Sequence, residues 1–291
     1  VPGKGIGKIR SLRRSKFGDS AFKHPGCLEH PGHFGKSSGR KANPLVDKSG
    51  QNVRRMFGEI AHRYDFLNHF LSLGTDIYWR WRTVRAVKLH DDSPLLDVCT
   101  GTGDLAFAFR KKLPVEQPVV GSDFTHEMLK LANQKSSQRS SNDNAIAFLE
   151  ADTQQLPFAD DLFQVVSVAF GIRNVNETRK GLAEMTRVCQ PHGHILILEF
   201  TTPKIPIFKQ LYRWYFRNVL PRIGQFLARN RHSAYRYLPD SVSEFPERDE
   251  FTKLMLEMGL ENVSYRSLTF GIATLYQGRK PADCEEFHDS R

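Results

Sequence analysis

The sequence predicts an α/β fold: a doubly wound, Rossmann-like, mostly parallel sheet of seven strands, with a helical N-terminal cover and a helical insertion. Three observations carry this prediction. Strand and helix signals alternate from Pro94 to Phe200, the order in which crossover helices join parallel strands. The stretch Leu95-Leu96-Asp97-Val98-Cys99-Thr100-Gly101-Thr102-Gly103-Asp104-Leu105-Ala106 runs from an apolar strand through two glycines into a helical pattern. Finally, the last two apolar segments are separated by Phe270-Gly271, which suggests a closing antiparallel hairpin.

From Val53 to about Leu89 the pattern is helical. Met56, Ile60, Tyr64, Leu67 and Leu71 recur at three- and four-residue steps, as a core-facing stripe does. Gly74-Thr75 interrupts the stripe, and Trp79, Trp81, Val84 and Val87 resume it. Strands are then expected at 94–97, 119–122, 145–150, 165–169 and 194–200, with helices at 104–112, 126–138 and 178–189. The polar run Ser136–Asn144 reads as a loop. Between Thr201 and about Pro246 an insertion carries apolar residues at helical steps. A helix over 249–258, ended by Gly259, precedes strands at 263–268 and 272–277.

The chain has 291 residues, 40% of them hydrophobic and 25% charged, enough to bury a full core. It has no apolar run of the length that spans a bilayer. Cys27, Cys99, Cys189 and Cys284 are scattered without metal-ligand spacing, so no metal site and a reduced, cytoplasmic compartment are expected. The net charge is +10, and residues 1–55 hold 13 Lys/Arg against three acids, the same +10. The basic excess therefore belongs to the tail, and the body is neutral. Residues 1–44, rich in glycine and poor in apolar content, read as a disordered basic tail. That tail is either an extension or a transit peptide, given its Arg/Ser-rich start. Residues 45–280 form the body and 281–291 a C-terminal tail.

Gly101 and Gly103 can take positive φ and let a ligand lie against the backbone, where a helix N-terminus presents free N–H groups. Gly101-x-Gly103-x-x-Ala106, with Asp123 twenty residues beyond Gly103, also satisfies the dinucleotide fingerprint. A pyrophosphate is a poor neighbour for Asp97, directly before the loop, whereas a ligand ammonium is a good one. Asp152 ends the third strand, where a carboxylate can accept from an adenine amino group while Leu156 and Phe158 wall the ring; alternatively it caps the following turn. Acids on three successive strand ends favour a sulfonium methyl donor over NAD.

At this point the sequence resembles the ubiquinone/menaquinone biosynthesis C-methyltransferases. The likeness rests on Asp97–Ala106, Asp152–Phe163, Phe170-Gly171-Ile172-Arg173-Asn174-Val175, Tyr235–Val242, Phe57–Asn68 and Leu268–Ala273, and spans about residues 51–280. It implies a class I methyltransferase sheet that uses S-adenosyl-L-methionine, with Thr102, Asp123, Asp152 and Thr153 contacting the donor beside Asp97, Gly101 and Gly103. The family often has Ser where Ala169 stands, and His near Tyr78 and Tyr276.

The resemblance implies an acceptor carbon on a reduced polyprenyl quinol, demethylmenaquinol first and a benzoquinol second. Another phenolic or sterol acceptor, and a silent donor-binding scaffold, remain as alternatives. Ionising a ring hydroxyl pushes electron density onto the neighbouring carbon, so the protein must position the groups and stabilise a phenolate. Arg173 either does this or pairs with Asp152 or Asp65. Tyr64, Asp65 and Asn68 share a helix and are candidates to reach the acceptor, core packing being the other role for Tyr64. From Lys204 to Pro239 there are eight Lys/Arg and no acid, interleaved with aromatics. That run suits a membrane-surface helix at the inner face of the membrane, a lid, or the contact of a homodimer. No nucleic-acid recognition motif accompanies the charge.

Overall fold

A computed structural model describes residues 49–89, 91–114, 116–139, 146–215, 218 and 240–282. The expectations for the tail 1–44, for most of the insertion and for the chain beyond 282 lie outside these residues. In chain order the elements begin with α1 (Gly50–Leu71), α2 (Thr75–Val84), β1 (Leu95–Val98), α3 (Asp104–Lys112) and β2 (Val119–Asp123). They continue with α4 (His126–Gln138), β3 (Ile146–Glu150), β4 (Phe163–Ala169), α5 (Thr178–Val188) and β5 (Cys189–Phe200). Last come α6 (Pro206–Trp214), α7 (Asp249–Glu257), β6 (Glu261–Leu268) and β7 (Ala273–Arg279).

The seven strands run in the order β3-β2-β1-β4-β5-β7-β6. β1 to β5 pair in parallel, and β7 lies antiparallel between β5 and β6. The chain leaves β1 toward β2 and β3, then returns to lay β4 on its other side. Ligands bind at the strand ends where the order reverses in this way. All four residues of β1 are buried, which explains its short apolar run without alternation. Its register sets Asp97 beside Gly121 of β2 and Ser167 of β4. One core face gathers Leu96, Val166, Leu182 and Met255, and the other Leu95, Phe107, Phe109 and Leu196.

Three expectations are corrected. β5 starts at Cys189 rather than His194, because Phe163 pairs with Cys189 before the register shifts; the Pro191–Gly193 kink, with His192 at φ 61°, hid that start. The helical cover breaks earlier than Gly74, with Leu73 as well as Gly74 at positive φ. Trp81 does not share the core stripe of Trp79: Trp79 is buried and Trp81 half exposed. Of the insertion, α6 and a short helical stretch over 240–244 are described, and the Phe208 ring of α6 stacks on Phe270 at 4.3 Å. No helix among the described residues is long and apolar enough to cross a membrane.

Candidate active site

The glycine loop is built for close backbone approach. Cys99, Gly101 and Gly103 all have positive φ, and a Cβ on Gly103 would meet the Phe107 and Phe148 rings at 2.9 Å. Gly103 is therefore required both by conformation and by space. The loop is tied to β2, where Thr100 N–H donates to the Ser122 carbonyl at 2.9 Å and Gly101 N–H to Asp123 Oδ2 at 2.8 Å.

Above the loop lies a cavity at the strand ends. Asp123, Asp152 and Thr153 line one side, and Val53, Phe57, Phe124 and Met128 give it apolar walls. Cys99 and Gly101 line it as well, together with Ala169, Phe170, Gly171 and Asn174 from the end of β4. Helix α1 covers the opening: Arg54 lies over the Phe124 ring at 4.3 Å, donates to the Phe124 carbonyl at 2.8 Å and pairs with Glu150.

Each acid is held in place. Asp123 accepts from Gly101 N–H and, at 2.7 Å, from Thr125 N–H; burial pushes its carboxyl up against these bonds. Asp152 accepts from the N–H of Gln154 at 2.9 Å, so it makes the local turn and also faces the cavity. Thr153 Oγ1 lies 3.2 Å from Cys99 Sγ. Burial, with Asp123 next in weight, pushes the Cys99 thiol up. Gly171 packs against the same residue, since a Cβ there would sit 2.3 Å from Cys99 Cβ.

Two carboxylates, a glycine backbone and apolar rings make a poor cradle for a pyrophosphate. They fit a ligand that donates through amino, hydroxyl and ammonium groups, as S-adenosyl-L-methionine does.

The structure brings Gly101, Asp123, Asp152 and Thr153 to this cavity, but not Asp97, Thr102 or Gly103. Asp97 lies beneath the loop, accepting from Thr100 Oγ1 at 2.6 Å and Ser167 Oγ at 2.9 Å. Burial pushes its carboxyl up to about 7. In this position it supports the loop from below. Thr102 turns to the other side, donating to Asp65 at 2.5 Å and accepting from Lys135 at 2.9 Å. Lys135 also pairs with Asp65 at 2.5 Å and Asp104 at 2.8 Å, so Asp65 is engaged in this cluster rather than at the cavity. Tyr64 and Asn68 lie on α1, and their side chains are outside the described residues. Leu156 and Phe158 are core residues; Phe124 and Met128 take the wall expected of them.

Arg173, in a 3₁₀ turn over Ile172–Asn174, pairs with neither Asp152 nor Asp65. Its Nη1 donates to Glu199 Oε1 at 2.5 Å and to the Phe170 carbonyl at 2.6 Å. Burial pushes the Glu199 carboxyl up, and the Arg173 charge pulls against it. Arg173 Nε, Asn174 Oδ1 and Glu199 Oε2 are buried without hydrogen-bond partners. Glu199 escaped notice in the sequence, although an acid inside the apolar run Ile195–Phe200 was a usable signal. The Tyr276 hydroxyl accepts from Arg248 N–H at 2.7 Å.

Comparisons with known proteins agree with this geometry. Residues 45–280 match the model of the ubiE/COQ5 methyltransferase family. A ubiquinone/menaquinone biosynthesis C-methyltransferase of Citrifermentans bemidjiense is 46% identical over 81% of this chain and 99% of that protein. A demethylmenaquinone methyltransferase of Deinococcus radiodurans is 44% identical over 81% of this chain and 97% of its own length. Among solved structures, an S-adenosylmethionine-dependent methyltransferase of Aquifex aeolicus shares the fold, with a TM-score of 0.51 and 15% identity, over 69% of this chain and 88% of that one. The matched span takes in the glycine loop, the acid-lined cavity and the Arg173 turn alike, and the chain belongs to the ubiE/COQ5 methyltransferase family.

Proposed function

We propose that this chain methylates a ring carbon of a reduced polyprenyl quinol, with demethylmenaquinol as its first acceptor. S-adenosyl-L-methionine is the donor, and when bound it supplies an electrophilic methyl on a sulfonium. The chain's own residues bind and orient. Asp123 and Asp152 stand where hydroxyl and amino donors of the ligand meet carboxylates, and Gly101 lets the ligand lie on the backbone. Val53, Phe57, Phe124 and Met128 exclude water from the same space.

The observation that carries the acceptor reading is the buried Arg173–Glu199 pair behind the cavity wall formed by Phe170, Gly171 and Asn174. From behind that wall the buried Arg173 guanidinium acts on the cavity through its charge and through the Phe170 carbonyl that it holds, which favours a developing phenolate. Glu199 fixes the guanidinium against the Phe170 carbonyl. Asp65 belongs to the loop-bracing cluster in this reading, not to the reacting groups. The acceptor is a lipid, so the enzyme works at a membrane surface, for which the basic run Lys204–Pro239 is one contact.

The test is transfer of labelled methyl from S-adenosyl-L-methionine to demethylmenaquinol and to the matching benzoquinol, under reducing conditions. Transfer to demethylmenaquinol is expected, with Asp123→Asn weakening donor binding about tenfold or more, the worth of one charged hydrogen bond. Failure to methylate either quinol overturns the reading.

A further inference from the structure

Helix α2 is folded inside out. Its buried side carries Asp76, Trp79, Arg80, Thr83 and Val84, with Arg80 and Asp76 paired at 2.5 Å. Its other side sets Ile77, 60% exposed, with Tyr78 and Trp81 into solvent, next to Leu73, 88% exposed, from the preceding turn. Positions 73, 77 and 81 recur at four-residue steps with 78 alongside, so they form one outward stripe. Single exposed apolar residues are ordinary, but four large ones aligned opposite a buried ion pair are not.

The stripe has a cationic rim. Tyr78 and Trp81 stack at 6.0 Å between ring centres. Arg82 lies 5.9 Å from the Tyr78 ring, and its Nη1 donates to the Tyr78 hydroxyl at 3.1 Å. Arg85 lies 4.7 Å over the Trp81 ring. The helix has a single acid, Asp76, which is buried.

We propose that the outward face of α2 is a bilayer-docking surface that takes anionic lipid. Tryptophan, tyrosine and arginine are the side chains that settle at the boundary between acyl chains and headgroups. The charge also selects the occupant: a two-fold contact with a second copy would bring Arg82 and Arg85 against their own counterparts, whereas an anionic headgroup layer complements them. The helix also connects to the site. Trp79, on its inner side, packs against Phe170 of the cavity wall with ring centres 5.8 Å apart. Docking through α2 thus sets the cavity wall behind one helix and the Trp79 ring, on the side of the protein that faces the bilayer and the polyprenyl chain it holds. This last point rests on the acceptor proposed above.

The experiment is flotation of the full chain with phosphatidylglycerol-containing vesicles and with phosphatidylcholine vesicles alone. It compares the wild type with Ile77→Ser/Trp81→Ser and Arg82→Gln/Arg85→Gln. The wild type is expected to float with the anionic vesicles. Each double variant should bind them about tenfold or more weakly, since a basic group near such a surface contributes ~1 kcal/mol. Donor binding and thermal midpoint, unchanged in both variants, report an intact fold. Methylation of a quinol without the prenyl chain should also be unchanged, while methylation of the polyprenyl quinol in vesicles falls. If the wild type methylates neither quinol, the acceptor reading fails, and flotation still judges the docking surface. The proposal is overturned if both variants float as the wild type does, or if the wild type stays off the vesicles. A wild-type dimer that the variants break apart would give the face to a second copy, and overturns it too.

Discussion

Asp97 shows how an acid beside a ligand loop can serve the loop instead of the ligand. Its carboxyl, pushed up to about 7 by burial and held by Thr100 and Ser167, keeps a proton that the unfolded chain has already lost. Between about pH 4 and 7 the native state therefore binds more protons than the unfolded one, and stability falls as pH rises through that window. Asp97→Asn is expected to remove this slope, worth on the order of a few kcal/mol across the window, as measured by urea unfolding at a series of pH values. Asp97, Asp123 and Asp152, on or just past β1, β2 and β3, stood out as candidates from their places in the sequence. Which of them faces the ligand did not, because that depends on the side chain's direction below or above the loop. Asp97 sits in β1 opposite Ser167, a neighbour 70 positions away that no local pattern reveals.

At the scale of elements, α1 is a cover and Lys135 its fastening. Lys135 reaches from α4 to Asp65 on α1, Asp104 on α3 and Thr102 of the loop, all within one partly buried cluster. Lys135→Met takes from Asp65 its Lys135 partner, while Asp104 keeps Arg80 at 3.4 Å. Donor affinity is expected to fall several-fold, since Val53 and Phe57 of α1 line the cavity. Amide hydrogen exchange should quicken in α1 and stay slow in the sheet, and titration calorimetry with exchange mass spectrometry checks both. The limits of α3 and α4 were readable because apolar residues recur there at helical steps, with Gly103 opening α3. Helix α2 was misread for a physical reason. Trp79, Val84 and Val87 face the core as their spacing predicts, but Asp76 and Arg80 share that inner side and Trp81 turns outward. The start of β5 was hidden by a proline, a glycine and a left-handed His192, all of which ordinarily mark a turn.

For the whole molecule, the parallel strands meet the donor at one edge, so ligand binding reports on the entire fold. A donor concentration about a hundredfold above its dissociation constant contributes ~2.7 kcal/mol to stability. In a chain of this size the thermal midpoint should then rise by roughly 5 to 10 °C. Asp123→Asn should lose most of that rise at the same donor concentration, as scanning calorimetry would show. The doubly wound, mostly parallel sheet followed from the alternation of elements, with the closing hairpin placed by Phe270-Gly271. The buried Arg173–Glu199 pair did not follow, because it joins the turn after β4 to the end of the neighbouring strand β5, 26 positions further on.

Cys99 lines the cavity that would hold an electrophilic methyl group, and a thiolate there would compete with the acceptor for it. Burial and the carboxylates of Asp123, Asp97 and Asp152 all push that thiol up, so it stays protonated and weakly nucleophilic at neutral pH. Two of these acids, Asp123 and Asp152, also line the cavity, so the carboxylates around that space guard the enzyme against alkylating itself.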